Sequence, residues 1–172
     1  MNARLTVRPL MPALLAVVLG LFAPPASGTE AALHDFDRDS LNTLRESHQG
    51  RPFVLALWSV HCEPCRSELA LLGPFKADHP EIAVELVAAD YRDDRPAVQA
   101  MLAEFDLDGV RTWAFADDFV ERIRFAIDPE WRGELPRIYL FDGSHRATAI
   151  SGRIEAETLA DWRRSLTDVR SD

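Results

Sequence analysis

Two stretches of the chain are apolar at almost every position. "RPFVLALWS" (51–59) and "EIAVELVAA" (81–89) are runs of the kind that strands covered on both faces show. Between them, "CEPCRSELALLGPFKAD" (62–78) spaces Leu69, Leu72 and Phe75 or Lys76 along one side. That spacing predicts a helix, with Pro64 in a first turn where its missing N–H costs nothing. Helices are also predicted from Asp39 or Ser40 to about His48, over "DRPAVQAMLAEFD", "DDFVERIRFAI" and "EAETLADWRRSL". "VRTWAFA", "RIYLFD" and "ATAISG" read as shorter strands, the last two joined by "DGSH", a hairpin-type turn built on Asp142 and Gly143.

Strands separated by helices predict parallel pairing, and the closing hairpin adds antiparallel strands. A β-α-β unit followed by a hairpin and a terminal helix is the order of a thioredoxin-like α/β fold. Its mixed central sheet is expected to carry helices on both faces.

The N-terminus sets the compartment. "MNARLTVRPLMPALLAVVLGLFAPPASGTE" has Arg4 and Arg8, a mostly apolar run from Leu10 to Phe22, and Ala26 and Gly28 spaced as a cleavage site before Thr29. That pattern predicts an export signal over residues 1–28, cleaved or kept as an anchor, and a single domain over 29–172 in an oxidising, periplasmic location. Removing Arg4 and Arg8 leaves 17 basic against 28 acidic side chains, moving the net charge from −9 to −11. Nucleic acid is thus not an expected partner, nor is an anionic lipid surface. The acids cluster in "HDFDRD" and "DYRDDR", which read as solvated faces and loops. A monomer without a cofactor is expected.

The chain has two cysteines, Cys62 and Cys65. A bridge between them closes almost no loop and would remove little entropy from the unfolded chain. Covalent haem would need His after the second cysteine, where Arg66 stands, and a closed zinc site would need a second pair of ligands. Redox chemistry remains: between a buried strand and a helix start, Cys62 lies where unpaired backbone N–H groups favour a thiolate. Cys65, one turn further in, is placed to attack a mixed disulfide formed at Cys62.

The segment "LWSVHCEPCRSEL" resembles the active-site segment of the TlpA/ResA-type thiol-disulfide reductases, exported thioredoxin-like proteins. Trp58, the Cys-x-Pro-Cys form of "CEPC" and an acid at Glu68 carry the resemblance, which extends over about 39–165. "GELPRIYLFDG" is similar to the segment holding that family's cis-proline, here Pro136 after Leu135, and Gly152 sits where a glycine commonly precedes the final helix. The resemblance implies a protein-disulfide reductase with Cys62, Cys65, Glu68 and Pro136 as catalytic groups. Its substrate would be a disulfide-containing envelope protein, such as apocytochrome c or a copper-site cysteine pair, and a membrane electron donor would recharge it. Leu135 would offer its backbone to an extended substrate segment.

Three positions depart from the family: His61 replaces an aromatic residue, Arg137 a small hydroxyl residue, and Ala56 the buried acid of thioredoxins. Trp58, His61, Glu63 and Pro64 border the pair and are expected to shape the substrate surface. Trp58 serves equally well as core packing, and Glu68 as an ordinary helix acid. Trp113, Trp131 and Trp162 are read as core or rim, and His34, His48, His79 and His145 as inert. Two other functions stay open: a copper(I) carrier using His61, Cys62 and Cys65, because thiolates favour that ion, and a non-catalytic thioredoxin-like binding module.

Overall fold

The computed structural model describes residues 32–107, 109–117 and 119–168, so the expected export signal lies outside the described residues. Its centre is a six-stranded sheet in the order β1-β4-β3-β2-β5-β6. The strands are β1 (Leu33–Phe36), β2 (Phe53–Trp58), β3 (Ala83–Ala88), β4 (Arg111–Phe115), β5 (Arg137–Phe141) and β6 (Ala147–Ser151). The first four are parallel to one another, while β5 runs antiparallel to β2 and β6 to β5. This is the mixed sheet expected of a thioredoxin-like fold.

Every residue of β2 is buried, which accounts for its unbroken apolar run. Alternate side chains feed two cores. Val54, Ala56 and Trp58 pack with Cys65, Leu69 and Leu72 of α2 (Cys65–Asp78), Val98 and Leu102 of α3 (Arg95–Leu102), and Leu159 of α5 (Ala156–Asp168). Phe53, Leu55 and Leu57 pack with Leu41 and Leu44 of α1 (Ser40–Ser47), and Val120, Ile123 and Ile127 of α4 (Val120–Ile127). Helices therefore cover both faces. Each fully buried Leu, Ile or Phe contributes roughly 2 kcal/mol of transfer free energy to this arrangement.

Some expectations need correction. "HDFDRD" does not lie wholly in solvent: β1 pairs in register with β4, and Phe36 is fully buried. Helix α2 begins at Cys65, with Pro64 as its N-cap, and α3 ends at Leu102, preceded by a 3-10 turn at Arg92–Asp94. His48 is not inert, because its Nε2 lies 2.8 Å from Oε1 of Glu85, both side chains being buried. Trp113 Nε1–H donates to the other Glu85 oxygen at 2.7 Å. His145 is also engaged, with its Nε2 3.1 Å from the His48 carbonyl oxygen.

Gly73 of α2 has a plain packing reason. A Cβ there would lie 1.8 Å from the Asp106 carbonyl oxygen, so only a residue without a side chain lets the two segments approach.

Candidate active site

Parallel strands β2, β3 and β4 end at one pole of the sheet, and antiparallel β5 begins there, with Leu57 opposite Arg137. Beyond β2 the chain turns sharply. Cys62 N–H donates to the Ser59 carbonyl at 3.1 Å and Cys65 N–H to the Cys62 carbonyl at 3.0 Å, so the helical winding of α2 begins at Cys62 although the regular helix starts three residues later. Cys62 and Cys65 form a disulfide with their Cα atoms 5.3 Å apart. Cys62 is half-buried, whereas Cys65 is fully buried in the core.

The expected site residues divide by place. His61, Glu63 and Pro64 are exposed on the turn around Cys62. The Leu135–Pro136 bond is cis; Leu135 is half-buried and, like Cys62, packs against the cluster that contains Cys65. Trp58 is the exception, because at 1 % exposure it is part of the core and offers no surface to a substrate.

Glu68, one turn beyond Cys65, is 2 % exposed. Its Oε1 accepts a hydrogen bond from Ile154 N–H at 2.7 Å, and its Oε2 is buried without a partner. Burial pushes its carboxyl above the ordinary range, and Glu155 adds to this, against the opposing pull of the Ile154 N–H and Arg153. The group that the sequence leaves open as an ordinary helix acid is therefore a buried acid on the helix that carries Cys65.

A second buried acid was not foreseen. Asp90, inside the "DYRDDR" cluster read as solvated, is 4 % exposed. It accepts a hydrogen bond from Ser59 Oγ–H at 2.6 Å and another from Val60 N–H at 3.2 Å. Burial raises its carboxyl too, more than Ser59, Val60 and His61 lower it. The available signal was its position, an acid directly after a buried strand that ends beside the cysteine turn. One ligand atom from each of His61, Asp90 and Asp94 lies within 4.8 Å of the others, but the Asp90 oxygens already serve Ser59 and Val60. His61 Nε2 lies 3.8 Å from Asp94.

Arg137, the departure after Pro136, turns to the opposite face of the sheet from Cys65. It pairs with Asp128 at 2.9 Å and bonds Ser151 Oγ, while Tyr139 O–H donates to the same Asp128 oxygen at 3.0 Å. Burial acts to raise the Asp128 carboxyl, but the Glu130 N–H, Tyr139 and Arg137 hold it below the ordinary range. Arg137 thus braces the segment that leads to Leu135 rather than reaching toward the disulfide.

No protein-family model matches the chain. It is similar to the thiol-disulfide oxidoreductase ResA of Oceanobacillus iheyensis, 29% identical over 59 residues. That match covers 34% of this chain and 31% of ResA, so the chain spans about a third of that relative's length. Among solved structures, DsbF of Mycobacterium tuberculosis superposes with a TM-score of 0.59 at 22% identity, covering 70% of this chain and 84% of that one. A secreted disulfide oxidoreductase of Mycobacterium tuberculosis, homologous to DsbE of E. coli, gives a TM-score of 0.57 at 22% identity over 70% of this chain and 86% of that one. The chain thus has the thioredoxin-like fold of these structures, and over 59 residues it resembles ResA.

Proposed function

We propose that this chain is an exported thiol-disulfide oxidoreductase that, as a dithiol, reduces disulfides in proteins of the cell envelope. The observation that carries the reading is the asymmetry of the pair: Cys62 is accessible at the turn, and Cys65 is fully buried behind it within disulfide reach.

In the reaction, the Cys62 thiolate attacks one sulfur of a substrate disulfide and the other substrate sulfur leaves as a thiolate. Cys65, once deprotonated, attacks Cys62 Sγ and expels the second substrate sulfur. The substrate gains two electrons and, with the two protons of the dithiol, ends as two thiols. Glu68 exchanges a proton at the Cys65 end of the pair in this reading, which its burial and its unpartnered oxygen support. The pair ends as the disulfide seen here, and a membrane electron donor restores it.

Apocytochrome c and copper-site cysteine pairs are the proposed substrates. Export is supported by the N-terminal pattern of Arg4, Arg8 and the apolar run, and by the likeness to a secreted oxidoreductase. No helix among the described residues is long and apolar enough to cross a membrane.

The test is trapping. Cys65→Ala, expressed with its own leader, is expected to accumulate a disulfide-linked complex at Cys62 that a reductant releases, and Cys62→Ala is expected to accumulate none. Absence of any complex, together with failure of the reduced wild-type chain to reduce a model protein disulfide, would overturn the reading.

A further inference from the structure

Strands β2 and β3 run in register to their ends, Trp58 beside Ala88, and Ala89 N–H donates to the Trp58 carbonyl at 2.8 Å. This pairing carries Asp90 to the side of the turn that leads to Cys62. There its buried carboxylate is an acceptor to which the turn supplies the donors: Ser59 Oγ–H at 2.6 Å and Val60 N–H at 3.2 Å. Ser59 Oγ in turn accepts His61 N–H at 3.0 Å, and the Ser59 carbonyl accepts Cys62 N–H at 3.1 Å. Each residue from Ser59 to Cys62 is thus held by a hydrogen bond that traces to Asp90 or to its partner Ser59.

We propose that Asp90 is a positioning residue for Cys62: through Ser59 and the Val60 amide it fixes the turn that presents the reactive sulfur, and its buried carboxylate opposes thiolate formation there. The inference rests on the oxidoreductase reading and deepens it. A negative charge in a low-dielectric setting beside a thiol disfavours the thiolate, and water screens this buried carboxylate far less than it screens exposed Glu63. The other charged groups around Cys62 are His61 and Glu63 on the turn, Arg66 at the start of α2, where it pairs with Glu104, Asp94 on the 3-10 turn, and Glu68 behind Cys65. Of these His61 favours the anion when protonated, and the charge of Arg66 is offset by its pairing with Glu104. Asp90 is therefore both the anchor of the turn and a brake on its nucleophile, two roles that substitution separates, since Asn keeps an acceptor oxygen for Ser59 and Val60 and loses the charge.

The experiment follows the pH dependence of Cys62 alkylation in the full chain, with Cys65→Ser as the background so that one thiol is read. Asp90→Asn is expected to lower the midpoint of the profile by about one pH unit. Ser59→Ala, which keeps the charge and the Val60 amide bond but removes the Ser59 hydroxyl links to Asp90 and to His61 N–H, is expected to slow disulfide exchange of the otherwise wild-type pair by on the order of tenfold, since loss of orientation at a reacting atom costs rate. A profile for Asp90→Asn that coincides with its parent, or moves up, overturns the brake. Wild-type exchange rates in Ser59→Ala overturn the anchor through Ser59, and this variant decides that link even where Asp90→Asn does not fold. Alkylation needs no substrate protein, so a chain without reductase turnover would sink the oxidoreductase reading while leaving this result readable.

Discussion

Ile154 N–H donates to Glu68 Oε1 at 2.7 Å, tying the helix that begins at Cys65 to the segment that leads into α5. The hydrogen bond favours the ionised carboxylate, but burial outweighs it and raises the folded-state value. A carboxyl raised on folding contributes stability that is complete below its ordinary value and lost as pH rises through the folded one. Above that folded-state value Glu68 therefore costs stability. Glu68→Gln, which keeps the acceptor for Ile154, should be more stable to urea than the wild type once pH rises past the folded-state value, with the difference closing as pH falls to the ordinary carboxylate range. A gap that widens toward acid would contradict this assignment.

The two thiols should differ in reactivity once the disulfide is reduced. Cys62 is half-buried on the turn and Cys65 lies fully inside the core. A small alkylating reagent near neutral pH is expected to modify Cys62 first, read by mass spectrometry of the digested protein. Equal rates at both positions would remove the nucleophile assignment.

Acids outnumber bases around the pair. Glu68 and Asp90 are buried and Glu63 is exposed, against His61 and an Arg66 that is already paired with Glu104. Negative charge near a developing thiolate withholds the stabilisation of the reduced form that makes a dithiol an oxidant. The midpoint potential at pH 7, read by glutathione equilibration, is expected nearer the value of about −270 mV for thioredoxin than that of about −120 mV for DsbA. Glu68→Gln should move it upward. A wild-type value close to that of DsbA would reverse the direction of electron flow.

The hydrogen-bonded pair of His48 and Glu85 is a core feature independent of the redox site. Glu85 is 1 % exposed and receives His48, Trp113 Nε1–H and, at 3.5 Å, Arg111. Glu85→Ala leaves the buried His48 and the Trp113 indole without their acceptor and should cost about 3 kcal/mol in chemical denaturation. A loss under about 1 kcal/mol would mean that the neighbours find other partners.

The strands β2 and β3, the hairpin at Asp142–Gly143 and the Cys62–Cys65 pair were legible because each rests on a local pattern: continuous apolar runs, turn chemistry, and cysteine spacing beside a helix signal. β1 was not, since an edge strand of four residues with His34 and Asp35 exposed carries no period that differs from a polar loop. Asp90 and Glu85 escaped for a related reason. The fate of an acid next to or inside an apolar run depends on donors from distant segments, Ser59 for the first and His48 for the second. Trp58 was legible only as far as two outcomes, because its residue type suits a core and a binding surface equally.

The turn at the far pole of the sheet is held largely by its own hydrogen bonds, with His145 tied to the His48 carbonyl. Asp142 Oδ1 accepts from the N–H groups of Ser144 and Arg146 and from Ser144 Oγ–H, and Arg146 Nε donates to Oδ2 at 3.0 Å. Ser144 and Arg146 are exposed, at the opposite end of β5 from Pro136. An exposed loop tip that folds on its own hydrogen bonds tolerates insertion. A surface tether or an affinity peptide grafted after Ser144 would therefore orient the molecule with its cysteine turn facing outward, so that immobilised protein meets dissolved substrates as the free protein does.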